Sequence, residues 1–152
     1  MVISSKFTDF VQLVSQHKGA LIVKIYFAVG IGGVIGSGVR YLISLLLHSN
    51  SFIGFPWATL FVNVTGAFLL TFILFHPTVK TKLAPAIFTA LTTGVIGSYT
   101  TFSTITVEVV MLFHTNSFSS IIYLLLTIFV GLLASYLGYK SAYRLPTEGI
   151  EK

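Results

Sequence analysis

The sequence predicts an all-α membrane protein with four transmembrane helices, the third too long for one straight span. Three observations carry this. Apolar residues fill 55% of the 152 positions and charged residues only 9%, against about 25% charged in an ordinary soluble domain. Mean hydropathy is +0.93, so too little charge is present to solvate a surface. The apolar residues also gather into four runs, each long enough to cross a bilayer, which takes about 20 residues.

The first run spans Ile25 to Leu47. The second spans Trp57 to Phe75 and is opened by Pro56, a residue suited to the first turn of a helix. The third stretches from Leu83 to Phe113 and the fourth from Phe118 to Tyr139. At about 1.5 Å per residue the third exceeds a hydrocarbon core of about 30 Å. Its middle, Leu91 to Thr101, holds Gly94, Gly97 and several hydroxyls. The favoured reading is a helix broken mid-membrane, which requires protein or a polar cavity to satisfy the unwound backbone. The alternative is a tilted, overlong helix with a glycine kink.

Residues 1–22 form an N-terminal extension, 23–141 the four-span domain and 142–152 a tail. In the extension Phe7, Phe10, Val11 and Val14 recur at helical spacing among Lys6, Asp9, Gln12 and His17. This fits an amphipathic helix on the membrane surface, or a disordered tail. A late, overlong apolar run without a small-residue cleavage site does not fit a signal peptide.

Charge sets orientation. Lys6, Lys18, Lys24, Lys80, Lys82, Lys140, Arg144 and Lys152 must share one side. The opposite loops, Ser49 to Phe55 and Thr115 to Ser117, hold no lysine or arginine. The positive-inside rule places both termini in the cytoplasm. A short single domain of this kind suits a bacterial inner membrane. The basic residues form no stripe, so a nucleic-acid partner is not expected. The absence of cysteine removes disulfide, thiolate-metal and cysteine-nucleophile chemistry. His48, His76 and His114 lie at span ends without metal-ligand spacing on one helix.

Polar residues within spans carry the functional argument, because each is costly in lipid. Gly32 and Gly36, like Gly33 and Ser37, are four apart and suit close helix approach. Arg40 continues that face, pointing into a vestibule or snorkelling to headgroups. Thr59 and Asn63 share a face of span two, with Gly66 beside them. Asn63 is either an interhelical hydrogen bond or a donor to a passing anion. In span three Phe102, Ile105 and Val109 form one face, and Thr101, Thr104 and Glu108 another. Glu108 is the only acid in any span. Tyr123, Thr127, Gly131 and Ser135 repeat every four residues in span four, which suits a polar path better than isolated bonds back to the same helix. Hydroxyls, an amide and the electropositive ring edge suit a small dehydrated anion. No nucleophile and base occur at motif spacing, so an enzyme is not expected.

Three ordered motifs then carry a resemblance. They are Gly32-Gly33-x-x-Gly36-Ser37-x-x-Arg40-Tyr41, Thr59-Leu60-x-Val62-Asn63-x-x-Gly66 and Gly94-x-x-Gly97-x-x-Thr100-Thr101-Phe102-Ser103-Thr104. Together they resemble the Fluc (CrcB-type) fluoride channels over residues 24 to 140. The resemblance implies an antiparallel dimer of four-helix subunits with two fluoride pathways. By motif position, Asn63, Phe102, Tyr123 and Thr127 would line the path, with Phe102 offering its ring edge. Arg40 would sit at an aqueous vestibule. Thr59, Ser103, Thr104 and Glu108 would form a polar track. Backbone carbonyls of Gly97 and Thr100 would hold a structural sodium ion at the dimer centre.

Two positions depart from the family pattern. Ile105 stands where a second phenylalanine is usual, which leaves one pathway without a ring edge, and Gly131 stands where a serine often occurs. One-sided charge also disfavours dual insertion, so a heterodimer with an inverted paralogue is expected rather than a homodimer. The leading expectation is a passive channel through which the cytoplasm sheds fluoride. The alternatives are a small proton-coupled multidrug-type exporter and a non-conducting partner subunit. The exporter family usually relies on a glutamate in span one, where this chain has Arg40.

Overall fold

A computed structural model describes residues 2–48 and 54–144, with side chains for all of these except 2–18, 20, 48 and 80. The order is α1 (Val2–His48), α2 (Trp57–Phe75), α3 (Pro77–Lys82), α4 (Pro85–Thr89), a π-helical turn (Ala90–Ile96), α5 (Gly97–Tyr99), α6 (Ser103–Thr115) and α7 (Ser117–Arg144). Among the described residues, four spans are long and apolar enough to cross a membrane: Leu21–Leu47, Trp57–Phe75, Pro85–Thr115 and Ser117–Arg144. The protein is a multi-pass membrane protein.

The extension and the first span are one helix. α1 runs unbroken for 47 residues, with no proline between Val2 and His48 to end it. The apolar pattern at Phe7, Phe10, Val11 and Val14 concerns side chains outside the described set, as do Lys6, Lys18 and Lys80. The tail from residue 145 and most of the first loop also lie outside it.

Two seams organise the bundle. α1 packs along the first half of the third span, from α4 through the π turn to α5, while α2 and α6 both pack on α7. The first seam is closed by glycines. A Cβ at Gly32 would stand 2.6 Å from the Ala90 carbonyl oxygen, and one at Gly94 would stand 2.7 Å from that of Val29. A Cβ on Gly36 would overlap the Val95 carbonyl. Backbone therefore meets backbone, as small residues at four-residue spacing permit.

The third span changes hydrogen-bond register twice. From Ala90 to Ile96 it is π-helical, which inserts an extra residue into the turn facing α1. At Thr100 the backbone turns extended, with φ −78° and ψ 158°. Residues 100–102 lie outside helix and α6 begins at Ser103. The last turns of α2 and α7 meet through rings. Phe75 stands edge-on to Tyr139, at 5.0 Å and 80°, and Tyr139 lies 4.9 Å from Tyr143.

Candidate functional site

The non-helical stretch is held from across the bundle. Thr101 N donates to Asn63 Oδ1 at 2.9 Å, and Asn63 Nδ2 donates to the Thr59 carbonyl at 3.0 Å. One amide side chain on α2 thus braces its own helix and satisfies a backbone N–H that has left its helical register. An asparagine amide has a second N–H, which those two bonds do not use. Thr101 Oγ1 lies 2.9 Å from Thr104 Oγ1 and 3.3 Å from Ser103 Oγ, and accepts from Thr104 N at 3.3 Å. The Thr101 hydroxyl therefore caps the start of α6.

These bonds have a consequence for two carbonyls. In a continuous α-helix the amide of Thr101 would bond to Gly97 O and that of Thr104 to Thr100 O. Here both amides are given to side chains. The Gly97 and Thr100 oxygens have lost their usual partners, and such oxygens are the donor type a hard cation accepts.

Glu108 is the hub of the second half of the site. Thr59 Oγ1 donates to its Oε1 at 2.7 Å and Tyr123 OH donates to its Oε2 at 2.7 Å. Three helices, α2, α6 and α7, are tied by one carboxylate. Tyr123 is wholly buried, at 0% exposure. Thr127 Oγ1 donates to the Tyr123 carbonyl at 2.8 Å. This is the local bond that repeated spacing on one helix cannot separate from a polar path.

Two cavities flank this hub. One, of about 260 Å³, is lined by Ser37, Arg40, Tyr41, Ser44, Thr59, Val62, Thr101 and Thr104. The other, of about 490 Å³, has Glu108, Thr115 and Met111 in its wall together with Phe55 and Trp57. Ser44, Thr59 and Thr104 line both. Arg40 and Glu108 therefore stand in adjoining chambers separated by hydroxyl residues.

The single chain brings together Arg40, Thr59, Thr104 and Glu108 around the two cavities, and ties Asn63, Ser103 and Tyr123 to that cluster by hydrogen bonds. It does not bring Phe102 or Ile105 into either cavity. Phe102 is 82% exposed and Ile105 only 8% exposed. Phe102 caps α6 with helical backbone angles and its carbonyl accepts the Thr106 amide at 3.1 Å, so the helical spacing from Phe102 to Ile105 holds while their exposures differ. Tyr99 and Thr65, whose hydroxyls lie 2.8 Å apart, were not singled out from the sequence. The signal available was their place as hydroxyls inside apolar runs. Phe55 left no such signal.

The sequence model of the family described as CrcB-like protein, Camphor Resistance (CrcB), matches residues 27–139. The chain belongs to this family. CrcB relatives named fluoride-specific ion channels match it well. "Fluoride-specific ion channel FluC 2" of Geobacillus kaustophilus (strain HTA426) is 45% identical over 127 residues, 83% of this chain and 98% of that protein. "Fluoride-specific ion channel FluC 1" of Desulfitobacterium hafniense (strain Y51) is 41% identical over 108 residues, 70% and 93% of the two chains. A FluC 1 of Ligilactobacillus salivarius (strain UCC118) is 45% identical over 111 residues, 72% and 92%. The CrcB match takes in every residue that lines the two cavities and begins at residue 27, so the first 26 residues of this chain precede it.

Proposed function

We propose that the chain is a subunit of a fluoride-selective channel that lets cytoplasmic fluoride leave passively. The observation that carries this is the hydroxyl cluster between Arg40 and Glu108, inside an otherwise apolar bundle of a CrcB protein. A small anion stripped of water needs several N–H and O–H donors at once, and isolated spans do not supply them. The second N–H of Asn63 and the rotating hydroxyls of Ser103 and Thr104 are such donors. Arg40 draws anions to one chamber. Glu108 fixes the Thr59 and Tyr123 hydroxyls in place by accepting from both.

The working unit in this proposal is a pair of subunits in opposite orientations. Phe102 supports it, because an apolar ring turned away from its own chain's cluster is available to a second subunit. The interruption at residues 100–102 would lie at membrane depth near the pair's axis. The Gly97 and Thr100 carbonyls of both subunits would there hold one sodium ion. Basic residues gathered on one side give this chain a single orientation, with both termini cytoplasmic, and an inverted paralogue as partner. A second reading, a subunit that builds the pair without conducting on its own face, is favoured by Ile105, which is packed inside its own chain.

The test is fluoride efflux from liposomes, with chloride as control, made with and without a co-expressed inverted paralogue. Fluoride-selective efflux that needs the paralogue is expected. Efflux that follows a proton gradient, or none in either preparation, would overturn the channel reading.

A further inference from the structure

The turn that leads into α2 has no part in the channel reading, yet it lies against the acidic end of the cluster. Gly54 has φ +65°, a left-handed conformation that disfavours any residue with a Cβ. Trp57 N then donates to the Phe55 carbonyl at 2.9 Å, which closes a tight turn. The turn sets the Phe55 ring edge-on to Tyr123, with centroids 5.4 Å apart and planes at 88°. Its other side leans on Trp57 at 4.5 Å. Gly54, Phe55 and Trp57 line the cavity that holds Glu108 and Thr59.

Tyr123 needs such a neighbour. Its bond to Glu108 holds the phenol oxygen and with it the first side-chain torsion, and leaves rotation of the ring about its own long axis. A ring packed against it in a T opposes that rotation. Thr59, the other donor to Glu108, lies two residues beyond Trp57 on the same entry into α2. One turn therefore sets the approach of both hydroxyls to one carboxylate.

We propose that Phe55 is a positioning residue for the anion pathway: its ring clamps Tyr123, so that the Tyr123 hydroxyl and Glu108 stay aligned at the mouth of the polar track. The inference rests on the channel reading above. Phe55 acts through Tyr123 and does not itself touch the anion.

The experiment measures fluoride efflux from liposomes holding the full chain and its partner, for the wild type, F55L, F55Y and G54A. Leucine keeps apolar bulk without a ring, and F55L is expected to lower efflux about fivefold, the scale of one aromatic pair. F55Y keeps the ring and is expected to match the wild type. G54A moves Phe55 without changing it and is expected to fall with F55L. Trp57 is the only tryptophan, so its emission in the purified chain reports whether each variant keeps the turn. Wild-type efflux from F55L overturns the inference, and so does an equal loss in F55L and F55Y. If F55L fails to assemble, G54A decides: wild-type efflux with shifted Trp57 emission overturns it. Missing efflux in the wild type, by contrast, is the failure of the channel reading itself.

Discussion

Asn63 carries two duties that substitution can separate. Its oxygen satisfies the Thr101 amide and its nitrogen supplies donors. Asn63→Asp keeps the acceptor while removing the N–H groups and adding negative charge. The variant also gives up the bond to the Thr59 carbonyl and is expected to lose fluoride efflux by about tenfold or more, as loss of a hydrogen bond to a charged partner implies. Asn63→Ala removes both, and its unfolding is expected about 1–3 kcal/mol easier because the Thr101 amide is left unpaired. Denaturation in detergent compared with efflux reads the two effects apart. Ile105→Phe puts a ring into a packed site, and efflux measured in the paired complex is expected to rise if that face is a silenced pathway. Unchanged efflux would count against the partner-subunit reading. Sequence spacing placed Phe102 and Ile105 on one face, but spacing could not say that Phe102 is exposed and Ile105 buried. The extended backbone at Thr100 lies within the Leu91–Thr101 stretch whose glycines and hydroxyls single it out in the sequence.

At the scale of elements, the seam between α1 and the third span depends on the absence of side chains. Gly36→Ala sets a methyl group against the Val95 carbonyl, and backbone cannot rotate away as a side chain would. A cost of about 1–3 kcal/mol is expected, of the size seen for overpacked cores. A thermal-shift measurement against Gly30→Ala, where a Cβ meets nothing within 4 Å, checks it. The four-residue spacing of Gly32 and Gly36 was legible as a packing face. Its partner was not, because spacing on one helix does not say which neighbour comes close. The π turn was not legible either, since a change from four- to five-residue bonding leaves no compositional mark. The hydroxyl repeat from Tyr123 to Ser135 was legible as polar, but Thr127 gives its hydrogen to its own helix. Only the fold decides between such a bond and an open path. The four spans themselves were fully legible, because twenty apolar residues in a row have few other stable fates.

At the scale of the whole molecule, charge decides insertion. Cysteine-free sequence makes orientation simple to map, since one cysteine introduced in the Thr115–Ser117 loop is the only thiol present. It is expected to react with impermeant reagent from outside intact cells in essentially every copy. Labelling of only about half the copies would mean insertion both ways, and would remove the reason for an inverted paralogue. α1 adds a consequence of its own. At about 1.5 Å per residue its 47 residues reach about 70 Å, more than twice the thickness of a hydrocarbon core. The surplus is a mast, and two identical copies facing opposite ways would raise their masts above opposite leaflets. A fluorophore at the amino end, quenched from one face of a sealed vesicle, would then take a direct census of which way each copy stands.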